Sequence, residues 1–178
     1  MKQTFIYVLI ATVAISCSSC KKDVSPTDDN GLPAATQDGK NTLGFLLNGQ
    51  PWIPKGSRVT SNLSIDYDAG YNNGIFNIVA YNFIPTISEQ FTIAIKDSLN
   101  FMQAPISFLL TKSSLFGISF DKNCPLFSTY SDVNSSGDFT LTKFDKVNRI
   151  IAGTFNATLS KQGCDTIKIT EGRFDMKF

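Results

Sequence analysis

Four cysteines, two glutamates and no histidine set the chemistry open to this 178-residue chain. Without imidazole, Ser-His-Asp and Cys-His catalysis and histidine-ligated zinc are excluded, and the commonest general base at neutral pH is missing. Carboxylate pairs remain for acid–base work. Asp66 and Asp68 fall two apart on one candidate strand and so share a face, whereas glycoside hydrolysis needs carboxylates about 5 to 9 Å apart across the scissile bond. Their alternation with Ile65 and Tyr67 reads them as solvated. Glu89 and Glu171 stand alone in the sequence, so a carboxylate-dependent hydrolase would have to assemble its pair from distant strands.

The run Asp132-Val133-Asn134-Ser135-Ser136-Gly137 has the oxygen spacing that begins a calcium loop. Its twelfth place is Lys143, which supplies a positive charge where a bidentate glutamate is needed, so the run reads as a polar turn and no metal site is predicted. No cofactor motif is present. Aromatic side chains offer a different chemistry: Trp52, Tyr71 and Tyr81, with Asn72, Asn73 and Asn82 beside the tyrosines, are candidate ligand-binding residues. Their ring faces would stack on sugars while amides hydrogen-bond hydroxyls. The competing reading packs Trp52 and the tyrosines in the core with their polar tips at its edge.

Cysteine placement is more telling. Residues 1–20 carry Lys2, an unbroken apolar run from Phe5 to Ile15, and small residues leading to Cys17 and Cys20. That apolar segment is too short to span a bilayer, and the whole reads as a bacterial lipoprotein signal peptide. Cys17 follows Ala14-Ile15-Ser16; Cys20 follows Ser18-Ser19 and precedes Lys21-Lys22-Asp23. Lipidation at Cys20 would leave Cys124 and Cys164 as the only other cysteines, whereas lipidation at Cys17 would leave Cys20 as an odd thiol in an oxidising compartment. Parity favours Cys20, with Cys17 the alternative. Acyl chains contribute roughly 0.8 kcal/mol per buried methylene, so two or three would hold a small domain on a membrane. Cys124 and Cys164 lack Cys-x-x-Cys spacing and are expected as a structural disulfide, worth about 4 kcal/mol for a loop of about forty residues.

Lys2 is the only charge before Lys21, so its removal leaves 15 of the 16 basic residues against 15 acidic ones. A near-neutral chain without a Lys/Arg cluster does not bind nucleic acid through phosphate neutralisation. Residues 21–40, KKDVSPTDDNGLPAATQDGK, have few large apolar side chains and are expected as a flexible linker that lets the domain stand clear of the lipid.

From residue 41 to 178 short apolar runs alternate with turn residues, and no helical spacing is sustained. Thr42–Leu47 should turn at Asn48-Gly49, with Trp52-Ile53 opening the return. Arg58–Tyr67 should pair with Ile75–Phe83. Phe91, Ile93 and Ile95 mark another strand, followed by Ile106–Leu110 and Leu115–Phe120. The last third predicts four segments, Phe139–Phe144, Arg149–Leu159, Thr166–Thr170 and Arg173–Phe178, with Gly172 at a bulge or tight turn between the last two. The fold class is all-β, a single antiparallel β-sandwich or β-barrel, and patterning does not choose between the two.

The stretch LPAATQDGKNTLGFLLNGQPWIP, residues 32–54, and the ending RIIAGTFNATLSKQGCDTIKITEGRFDMKF, residues 149–178, resemble the two ends of a Bacteroidota cell-envelope lipoprotein family defined as a domain of unknown function. Gly49, Trp52, Gly153, Gly172 and Phe174 fit its pattern. The resemblance implies a location and a fold, with no activity to transfer. Asp97-Ser98-Leu99 and Asp165-Thr166-Ile167 look like the O-glycosylation tripeptides of such envelope proteins. The expectation is a lipid-anchored envelope protein at the outer membrane, on its periplasmic or surface face, held by N-terminal acyl chains. Its domain is expected to be a non-catalytic binding module for a glycan or an apolar ligand. A structural or protein-interaction scaffold is the alternative.

Overall fold

Asn48 and Gly49 have positive φ, 49° and 81°, the hairpin twist that returns Thr42–Leu47 (β1) as Gln50–Trp52 (β2). The computed structural model describes residues 27–56, 61–96, 98–110, 115–120, 126–128 and 133–178. Among these, nine further strands follow: β3 (Leu63–Asp68), β4 (Ile75–Ile84), β5 (Ile87–Ile95), β6 (Ile106–Leu109), β7 (Leu115–Phe120), β8 (Leu126–Ser128), β9 (Asn134–Asp145), β10 (Ile150–Ser160) and β11 (Ile167–Lys177). A short 3-10 turn, Leu99–Phe101, precedes β6. The strands form a six-stranded sheet, β2-β1-β11-β10-β9-β6, and a five-stranded sheet, β3-β4-β5-β7-β8. Every pairing between these strands is antiparallel, and among the described residues neither sheet closes on itself, so the architecture is a sandwich.

Period-two alternation fills the space between the sheets. Phe76, Ile78 and Ala80 of β4 and Phe91 and Ile93 of β5 face Leu43, Phe45, Phe139, Leu141, Phe155 and Phe174 of the larger sheet. Aromatic rings pack in successive groups along the core. Phe45 stacks on Trp52 at 4.7 Å and 13°, and Phe91 lies 4.7 Å from Phe45 and 5.3 Å from Phe155. Phe139 and Phe174 stack at 5.7 Å with Phe76 tilted 6.2 Å from each. Tyr67, Phe144 and Phe178 close one end. These contacts join strands remote in sequence, which patterning alone could not pair.

The ending expected as two segments is one strand, β11. Gly153 pairs with Phe174 and Phe155 with Gly172, but Ala157 next pairs with Ile169, so β11 holds one residue more than β10 over this stretch. The same excess appears on the other side, where Gly44 pairs with Arg173 and Leu46 with Thr170. This is a bulge, read by both neighbours, and Glu171 takes φ 53° within it. The two glycines serve the reciprocal rings: an added Cβ at Gly153 would lie 2.7 Å from the Phe174 ring, and one at Gly172 would overlap the Phe155 ring.

Residues 27–40, expected as flexible linker, are instead a strap across the outer face of the larger sheet. Leu32 is wholly buried, and Pro33 fills the space above Gly44, whose Cβ would otherwise lie 2.6 Å from the proline ring. Two apolar residues in a polar stretch were enough to dock it because β1 and β11 offer glycine and a buried carboxylate beneath. The ordered body therefore begins before residue 41. Residues 1–26, with Cys17 and Cys20, lie outside the described residues, as does Cys124. Cys164 packs at the core edge and is disulfide-bonded.

Replacing Gly153 or Gly172 by alanine is expected to lower stability by about 1–3 kcal/mol through overpacking against the facing ring. Urea denaturation measures this, and a midpoint equal to wild type for either variant would refute the ring-over-glycine account.

Candidate functional site

Asp175 sits on the outward side of β11 yet is 1% exposed. The strap covers it: Thr36 Oγ1 donates to Oδ2 at 2.6 Å, the Asp38 and Lys40 N–H groups to Oδ2 at 3.0 and 3.3 Å, and the Gly39 N–H to Oδ1 at 2.7 Å. Burial pushes its pKa up and is the largest single influence, but the Thr36 hydroxyl and the three N–H groups together hold it below the ordinary value. Upstream, Asp28 closes a turn by accepting the Asn30 and Leu32 N–H groups at 2.9 Å each. It also pairs with Arg173 at 2.8 Å. The Leu32 N–H leads the causes that lower its pKa. Arg173 reaches back to Glu171 in the bulge at 3.2 Å, so the bulge and the strap are joined by one guanidinium.

Where the strap begins, it walls a cleft of about 350 Å³ with the start of β1, the segment after β2 and the approach to β3. Pro33, Ile53, Pro54 and Leu63 supply apolar surface; Asn41, Thr42, Ser61 and Asn62 supply amides and hydroxyls. Among the described residues, no lining side chain is ionisable. Asn41 Oδ1 is engaged with the Lys177 N–H at 2.9 Å, and Ser61 Oγ donates to the Leu63 carbonyl at 2.7 Å. The volume lies within the range of small-molecule sites.

Of the three aromatic candidates, Trp52 is buried at 4% exposure. Its ring stacks on Phe45, and Nε1 donates to Glu89 Oε2 at 2.7 Å, so it is a core residue with a satisfied polar edge and offers no face to a ligand. Tyr81 stacks on Phe83 at 5.0 Å on the outward face of β4. Tyr71 is 59% exposed in the loop before β4. Tyr81 stands six residues beyond the first residue of β4, about 20 Å at the strand rise, so the structure does not gather the three into one platform.

The carboxylates are also dispersed. Asp66 and Asp68 are exposed on β3, as their alternation predicts. Asp66 pairs with Asn77 and Glu89 with Asn82 across β4, five residues apart, or about 17 Å, beyond the span that glycoside hydrolysis requires. Glu171 is engaged with Asn30 at 3.1 Å and with Arg173. Asn134 and Ser136 of the calcium-like run lie on β9 and not in a loop. Among the described residues, no group of three or more potential metal ligands gathers, and no helix is long and apolar enough to cross a membrane.

Sequence reading missed Asp175 and the cleft. Phe174-Asp175-Met176 alternates as a strand with an outward aspartate, which is correct, but nothing local says that the outward face is covered. The available signal was Leu32-Pro33, an apolar pair in a stretch otherwise too polar to bury. In comparison with known proteins, no family model, curated protein or solved structure matches the chain.

Asp175→Asn places an NH2 group against an array made only of donors and is expected to cost about 1–3 kcal/mol. Because the folded pKa is depressed, the stabilisation is complete above the ordinary value of 3.8 and is lost as pH falls through the folded value. Denaturation midpoints between acid and neutral pH should therefore fall less steeply on the acid side for Asp175→Asn than for wild type. Asp28 and Asp145, whose pKa values are also lowered, retain part of the slope. Parallel curves for the two proteins would refute the role of Asp175.

Proposed function

We propose that this chain is an exported, lipid-anchored cell-envelope protein of the Bacteroidota type. Its sandwich acts as a non-catalytic binding module for an uncharged, hydroxyl-bearing ligand, a glycan. The observation that carries the reading is the lining of the strap-walled cleft, where amides and hydroxyls alternate with apolar surface and, among the described residues, no side chain is ionisable. Such a lining suits a sugar, whose hydroxyls need donors and acceptors and whose ring faces are apolar. A purely apolar ligand would leave the Asn62 amide and Thr42 hydroxyl desolvated without partners, at a cost comparable to a lost hydrogen bond. The cleft replaces Trp52, Tyr71 and Tyr81 as the proposed site.

Acylation at Cys20, with Cys17 as the alternative, supplies the membrane partner in this reading, and the outer membrane is the proposed location. Cys124 is the proposed disulfide partner of Cys164. No cofactor and no nucleic acid enters the proposal. A scaffold role is the second outcome that the following experiment can return.

Native mass spectrometry of the mature protein from its own envelope extract should show an adduct with a hexose-spaced mass. Asn62→Ala combined with Thr42→Val should reduce its retention at least tenfold while leaving the unfolding midpoint within experimental scatter. An apoprotein mass from fresh extract, together with no binding to a panel of envelope glycans, would move the protein to the scaffold class.

A further inference from the structure

The strap-walled cleft lies along one side of the sandwich, where the β1–β2 edge of the larger sheet meets the β3 edge of the smaller one. Ile53 and Pro54 follow β2, Asn62 and Leu63 lead into β3, and among the described residues β2 and β3 each end their sheet. The opposite edge of the larger sheet, β6, stands four strands beyond β1, about 19 Å at the usual strand spacing. The chain enters the body at the rim of the cleft. Thr27, the first described residue, is part of the lining. It is pinned there: Thr27 bridges Pro33, the Asp28 N–H donates to the Leu32 carbonyl at 2.8 Å, and the Gly31 N–H donates to the Asp28 carbonyl at 2.9 Å. Leu32 beside this turn is wholly buried, and Pro33 closes over Gly44.

Covalent reach then limits how far this rim can stand from a lipid anchor. Seven residue steps separate Cys20 from Thr27, about 25 Å at full extension, of which about 5–7 Å is taken up in crossing the headgroup layer. About 20 Å remains above the lipid surface as an upper limit. A body of about 150 residues is roughly 40 Å across, so the tether is too short to carry Thr27 over its far face. The rim of the cleft is therefore confined to the half of the body nearer to the leaflet that holds the anchor. With Cys17 as the anchor the limit rises by three steps, about 11 Å, and the far face remains out of reach.

We infer that the ligand of this cleft is the sugar headgroup of a membrane lipid, a neutral glycan carried in the same leaflet as the chain's own acyl anchor. The inference deepens the glycan reading and rests on it and on the proposed lipidation. A lining of amides and hydroxyls offers hydrogen bonds and ring contacts without charge to strengthen them, so its affinity for a free sugar is modest. Sharing a leaflet supplies the remainder. A tethered cleft and a lipid-linked glycan meet in a layer about 20 Å deep, and such confinement raises effective concentration toward the millimolar range, with gains of about 10²–10⁴ over the free affinity. A soluble glycan draws no such gain from the tether. Among the described residues the lining holds no cation, so the headgroup of a phospholipid finds no charged partner and a glycosyl headgroup is preferred.

The chemistry of the adduct is the first test. Released from the acylated chain of native membranes, it should carry hexose-spaced mass joined to acyl-chain mass and partition into chloroform–methanol. A water-soluble oligosaccharide overturns the inference and leaves the glycan reading standing, whereas an apoprotein that binds no envelope glycan overturns both. Orientation is tested without any ligand, by NMR of the acylated chain in bicelles of phosphatidylethanolamine and phosphatidylglycerol with a headgroup spin label. Amides of Thr42, Asn62 and Leu63 should broaden at least fivefold more than those of Ser107 and Leu109 on β6, and equal or reversed broadening overturns the inference. Twenty Gly/Ser residues inserted between Lys22 and Asp23 lengthen the tether without touching the described body. With effective concentration falling roughly as the −3/2 power of length, the variant should retain about sevenfold less glycolipid from the same membranes. Its unacylated form should bind the free headgroup glycan as the unacylated parent does. Retention insensitive to the insertion overturns the shared-leaflet constraint. Intact mass reads acylation separately, and a native chain without acyl groups overturns the anchoring and this inference together.

Discussion

The Asp175 carboxylate is taken out of water by the strap, and it is tolerated there because the Thr36 hydroxyl and three strap N–H groups converge on its two oxygens. A buried carboxylate without such partners would protonate or drive the covering segment away. The array works in both directions. The strap's N–H groups at residues 38–40 find in Asp175 an acceptor that no strand edge supplies. Asparagine would not be equivalent, since all four partners are donors. Neither the anion nor the strap is satisfied without the other, and the cleft wall follows from their union.

Magnitudes separate this contact from the rest of the strap's attachments. Arg173 with Asp28 is partly exposed, and such solvent-screened pairs contribute little. Leu32, fully buried, contributes about 1.5–3 kcal/mol. Asp175 adds charge-assisted hydrogen bonds, stronger individually than neutral ones and fixed in direction. Hydrophobic burial thus supplies much of the docking energy, while Asp175 sets the register of the strap. The bulge in β11 contributes as well. Glu171 lies within it and bonds Asn30 of the strap, while Arg173 bridges Glu171 to Asp28.

Sheet and turn were legible where the signal was local. Asn48-Gly49 fixed the first hairpin, and alternation through Phe76, Ile78 and Ala80 fixed the buried face of β4. The ending misled because Gly172 invites a break, and only the partner strands reveal that it lies under Phe155 within a continuous strand. Choice of sandwich over barrel depended on which strands end unpaired, a nonlocal property that alternation does not encode. Trp52 is instructive in the same way. Its type suits a ligand platform, but its stacking on Phe45 and its bond to Glu89 are set by pairing between segments 37 residues apart. The cleft drew its lining from residues 27 to 63, a stretch read as linker, hairpin and strand, with no motif that spans them.

The cleft depends on the Asp175 contact as well. Thr27, Gly31 and Pro33 of the strap wall it, while residues 36 to 40 hold the strap in register over Asp175. Release of the strap would remove that wall, so the shape of the cleft draws on the buried carboxylate beneath residues 36 to 40.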